Sequence, residues 1–252
     1  MNKSLIYNVI ALALSVLFSL KGVNESCAQS FSSRDLMGAW RGNFSDSIGE
    51  VTGVAIVTDG YYSVCRFDEK GKRFLYTMGG KWSLDEKNLV ETVEFNTLDS
   101  TGVGKVNSYE IELSGDKLKF VSTGEEWERL DDMEPGKLGG AWLITGRERN
   151  GELSRRTPGA RKTMKILSGT RFQWIAYNTD SGKFFGTGGG TYTTVEGKYV
   201  ENIDFFSRNA DRIGARLEFD FELKDKEWHH RGFSSSGNPM YEIWTPRSML
   251  EE

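Results

Sequence analysis

The sequence predicts an all-β protein: two tandem antiparallel up-and-down barrels behind an N-terminal signal peptide. Three observations carry this. Leu-x-Gly-Ala-Trp occurs twice, as LMGAW at 36–40 and LGGAW at 138–142. A constant offset of 110 residues matches the two halves without a gap from Tyr62 and Phe172 to Leu113 and Leu223. The matched segments are short runs of alternating apolar and polar residues, divided by turn signals such as Thr58-Asp59-Gly60 and Asp180-Ser181-Gly182. Repetition at a fixed period marks a duplicated structural unit. Strands that follow one another through tight turns make a meander, and a meander of this many strands closes because closure removes exposed edges.

The elements follow in order. Lys3 precedes an apolar run from Leu5 to Leu20, then KGVNESCAQS. The run is short for a spanning helix, and Ser26 and Ala28 fit the small-x-small rule, so residues 1–28 read as a secretory signal peptide. Secretion or a bacterial periplasm is the location this implies. The alternative anchors a lipoprotein at Cys27, although Asn24, Glu25 and Ser26 before it depart from a lipobox. Loss of Cys27 would leave Cys65 alone, read as a small buried hydrophobe. The first barrel covers 34–131, DDMEPGK (131–137) links, and the second barrel covers 136–248. The Trp pair, Trp40 and Trp142, is offset by only 102, so an insertion of about eight residues interrupts the second copy around RERNGELSRRTPGA.

The formal charge is −4, with 32 basic and 36 acidic residues interspersed. No basic patch argues for nucleic acid, and no transmembrane helix is expected. Oligomeric state is not legible.

Gly-x-Trp at the start of a first barrel strand, with Arg near the last strand, resembles the signature of lipocalins and related calycins. Both parts occur twice: Trp40 with Arg129, and Trp142 with Arg247. The resemblance, closest to secreted bacterial lipocalin-like proteins, implies that each Trp plugs the closed end and each Arg packs across its indole. It implies a barrel and no defined activity. The copies depart from the family in being about a hundred residues each, with no visible helix after the barrel.

Alternate residues of a strand share a face, and the more apolar face is expected inside. In the second copy that face includes Met164, Ile166, Phe172, Trp174, Phe184, Gly186, Gly188, Tyr192, Glu201, Phe205, Phe219, Phe221, Trp228 and His230. Tyr76 and Met78 of the first copy become Gly186 and Gly188, and Arg66 becomes Ala176, which removes bulk. Val64 becomes Trp174 and Leu118 becomes Trp228, which adds aromatic wall. The first barrel is therefore expected to be filled and the second more open. The pocket candidates are Phe172, Trp174, Gly186, Gly188, Tyr192, Glu201, Phe219, Phe221, Trp228 and His230.

The expected function is a non-enzymatic binding protein whose second barrel takes a small apolar or aromatic molecule. No cofactor, metal site or catalytic residue is assigned. His229 and His230 face opposite sides of one strand and cannot share a metal. GTGGG (186–190) lacks the Lys-Ser/Thr and following helix of a phosphate loop. Two alternatives stay open: a barrel hydrolase or isomerase using His230 with Glu201, and a glycan-binding or adhesion module. Tyr61, Tyr177 and Phe185 fall on the outer face, where an interface between the barrels is the preferred reading.

Overall fold

A computed structural model describes residues 30–47, 49–233 and 237–251; residues 1–28, expected to be a signal peptide, and Cys27 lie outside the described residues. The first barrel is built of β1 (Gly38–Asp46), β2 (Gly49–Thr58), β3 (Tyr61–Asp68), β4 (Arg73–Asp85), β5 (Asn88–Asn96), β6 (Val106–Ser114), β7 (Lys117–Phe120) and β8 (Glu126–Arg129). Neighbours in sequence pair antiparallel, and β8 closes on β1 with Arg129 opposite Trp40. The second is built of β9 (Gly140–Arg149), β11 (Arg161–Leu167), β12 (Arg171–Asn178), β13 (Phe184–Val195), β14 (Lys198–Phe206), β15 (Arg216–Lys224), β16 (Glu227–Phe233) and β17 (Pro239–Pro246). It closes through β17 on β9. The insertion forms β10 (Glu152–Arg155), a hairpin arm on the far half of β9 with no counterpart in the first barrel.

The repeated Leu-x-Gly-Ala-Trp is a barrel floor. Trp40 donates its indole N–H to the Leu36 carbonyl and Trp142 to that of Leu138, each at 2.9 Å. Both leucines are buried. The chain turns back on itself at Gly38 and Gly140, whose φ of +120° and +123° suit glycine and strain any other residue. A second bond repeats beside the first: Trp82 donates to Thr58 O at 2.8 Å, and Tyr192 to Ser168 O at 2.5 Å.

The expected Arg–Trp pair exists once. Arg129 lies 4.2 Å over the Trp40 ring and donates to the Met37 and Asp35 carbonyls. Arg247 does not reach Trp142. Register places Pro246 opposite Trp142, as Arg129 stands opposite Trp40, so Arg247 falls one residue later. It lies instead over Tyr61 at 4.3 Å and binds Glu94, Glu251 and Tyr177 between the barrels.

That contact zone also corrects the expected faces. Met164 and Ile166 point outward, packed with Ile56, Tyr61 and Phe95 of the first barrel, while Lys165 points in. Phe184 and Phe205 point outward too, stacked on Phe74 and against Phe67. The cause is local. Bulges skip Phe185 between β12 and β13, and Asp204 between β13 and β14. One extra residue inverts the alternation beyond it. Tyr61 and Tyr177 lie in the interface; Phe185 leaves it and meets Arg161, whose guanidinium lies 3.8 Å from its ring.

Candidate functional site

The two barrels differ at the end opposite the Trp floor. In the first, Arg66 lies 3.7 Å over Phe44 and 5.5 Å from the Tyr76 ring, and pairs with Glu125 at 2.6 Å. These side chains plug the mouth. In the second, the matching residues are Ala176 for Arg66, Gly186 for Tyr76 and Gly146 for Phe44. A cavity of about 480 Å³ opens there, within the range of small-molecule sites.

Of the ten pocket candidates, Trp174, Glu201, Phe219 and His230 line this cavity. Phe172, Tyr192 and Trp228 are buried beneath it in the aromatic floor, where Trp228 sits 5.9 Å from Trp142 and 5.0 Å from Tyr199. Phe221 packs at the edge of that cluster. The glycines act by what they admit. A Cβ on Gly188 would meet Trp174 and Phe206 at 2.8 Å, and one on Gly186 would meet the Arg208 guanidinium at 2.5 Å. They make space for neighbouring side chains that shape the wall, rather than for a ligand directly.

Sequence patterning placed Glu201 and His230 inside but missed Lys165 and Glu242. Lys165 enters from β11 and forms a buried ion pair with Glu201 at 2.8 Å. Its ammonium also lies 4.8 Å from the Tyr199 and Trp228 rings and 5.4 Å from Trp244, a cation held over aromatic faces. Glu201 is thereby engaged by Lys165. The carboxylate beside His230 is Glu242, with Oε2 3.6 Å from Nδ1, beyond hydrogen-bond distance. The pairing expected between His230 and Glu201 is replaced by these two arrangements.

His230 is fully enclosed, and neither ring nitrogen has a hydrogen-bond partner among the described residues. Burial, then the charge of Lys165, lowers its pKa, so the imidazole is neutral at neutral pH. Burial raises Glu242, and the neighbouring cations Arg147 and Lys165 oppose it and hold its carboxyl below the usual carboxylate value. Glu242 in turn accepts from Arg147 at the rim. His229, facing out, bonds Tyr241 at 2.7 Å.

Lys165 was legible only by abandoning the rule that the apolar face turns inward. Both faces of β11 are buried, one in the barrel and one against the neighbouring barrel, so hydrophobicity does not choose between them. Tyr199 shares its parity with Glu201 and could have been read from it.

No protein-family model matches this chain, and no curated protein matches it, so the chemistry of the site is the guide to its role.

Proposed function

We propose that this is a secreted, non-enzymatic, lipocalin-like binding protein, with duplicated domains 34–131 and 136–248, whose second barrel holds a small ligand with an apolar or aromatic body. The observation that carries the reading is the missing plug. Arg66, Phe44 and Tyr76 fill the first mouth, and their replacements by Ala and Gly leave a cavity walled by Trp174, Phe206, Phe219 and Trp244. Residues 1–28 as a signal peptide support export, and no described helix is long and apolar enough to cross a membrane.

Titration with neutral 1-anilinonaphthalene, read by its fluorescence, tests the reading. Saturable binding is expected, and Ala176→Trp, which refills the mouth, should abolish it. Leu217→Trp serves as a second filling variant on another strand. Absent binding, or binding indifferent to both variants, would overturn the proposal.

A further inference from the structure

The insertion that interrupts the repeat brings basic residues to the cavity mouth. Arg147 and Arg149 end β9, Arg156 follows β10, Arg161 begins β11, and Arg208 follows β14. A groove between β9 and β11, lined by Arg147, Arg149, Arg156 and Arg161, adjoins the cavity, which Arg147 and Arg161 also line. Partial desolvation and then mutual repulsion lower the pKa values of Arg156, beside Arg147 and Arg149, and Arg161, beside Arg156 and Arg208. Among the described residues, Arg149 and Arg156 have no acidic partner, and Arg147 has only Glu242.

The first copy is an internal control. At the offset of 110 it has Val51 for Arg161, Leu98 for Arg208 and Ala55 for Lys165. These three cations thus have no counterpart in the first barrel, whose mouth holds the Glu125-paired Arg66 instead. His230 is an independent pointer. It faces the cavity with both ring nitrogens buried and unpartnered, and a wholly apolar occupant would leave them so.

Resting on the binding reading above, we infer that the ligand of the second barrel is an amphipathic anion: a carboxylate, sulfonate or phosphate ester on a flat apolar body. Its charged group lies on the arginines of the mouth, its body lies against Trp174, Phe206 and Phe219, and an oxygen or nitrogen along the body meets His230. Arginine suits this because its planar fork donates two parallel hydrogen bonds to an oxyanion. An uncompensated cluster of cations also draws anions in, an effect that salt screens.

A matched pair of probes tests this on the whole protein: 1-anilinonaphthalene and its 8-sulfonate, which differ by one anionic group. The sulfonate should bind about tenfold tighter or better at low salt, with the advantage shrinking at high salt. Arg149→Gln/Arg156→Gln, both exposed and without ion pairs, should remove most of that advantage and leave the neutral probe unchanged. Ala176→Trp should abolish both signals. Equal affinity of the two probes, or an arginine variant that keeps the full preference, overturns the anion inference while leaving the binding reading intact. Failure of both probes to bind overturns both.

Discussion

At the residue scale, one duplicated glutamate has two fates. Glu201 meets Lys165, whereas Glu91 has Ala55 at the lysine's place and the Tyr62 hydroxyl beside it instead of a cation. Burial therefore pushes Glu91 up to about 7, with Tyr62 opposing. A carboxyl raised in the folded state binds its proton more tightly there than in the unfolded chain. Its contribution is intact below about pH 4.5 and is lost as pH rises towards 7. The full span corresponds to about 3 kcal/mol. Urea denaturation at pH 5 and pH 8 should show the protein losing stability by up to this amount, and Glu91→Gln, which keeps a neutral side chain at both pH values, should lose less. Equal losses in both proteins would sink the account.

At the element scale, bulges decide which side chains enter each barrel. β4 and β5 slip between Gly79 and Gly80, and β13 and β14 slip at the matching Gly189 and Gly190. At both places the strands approach too closely for a side chain. A Cβ would lie 2.0 Å from Thr92 O at Gly80 and 2.0 Å from Asn202 O at Gly190. The obstacle is backbone, which cannot swing aside. Gly190→Ala should cost about 3 kcal/mol or more, as forced overpacking does, and should lower the thermal midpoint. Gly159→Ala, with nothing within 4 Å of its Cβ, is the control and should stay near wild type. Similar midpoints for the two variants would show that the bulge is not needed.

At the scale of the whole molecule, the two barrels meet through an approximate two-fold axis. Phe67 contacts Phe205 while Phe95 contacts Tyr177, and these pairs exchange under the offset of 110. Phe74 stacks on its own equivalent, Phe184, at 6.3 Å. Near the axis, Gln173 donates to Thr77 at 2.8 Å and to Thr187 at 3.0 Å. Such exchange is the signature of an isologous interface. To it the chain adds Arg247, fully buried and ion-paired to Glu94 at 2.5 Å. A barrel separated from its neighbour would expose Met164, Ile166 and Ile175 to water and break the Arg247–Glu94 pair, which is destabilising chiefly through the apolar area exposed. Calorimetry should accordingly show one cooperative unfolding transition. Two resolved transitions would mean that the interface contributes little.

The sequence by itself determined the duplication and the antiparallel barrels; the resemblance to lipocalins implied the role of Leu-x-Gly-Ala-Trp as a floor, and side-chain bulk at matched positions led to the expectation of a filled first mouth and a more open second one. Apart from the resemblance, this is local or repeated information: spacing, alternation, turn residues and side-chain bulk at matched positions. Tertiary structure alone decided which face of β11 lies inside, because both of its faces are buried. It decided where Phe184, Phe205 and Arg247 go, because one bulged or added residue inverts a face and no composition signal marks it. It also gathered the arginines of β9, β11 and two loops at one rim, around a histidine without a partner. Residues far apart in the chain acquire a shared chemistry only when closure of the barrel brings them together.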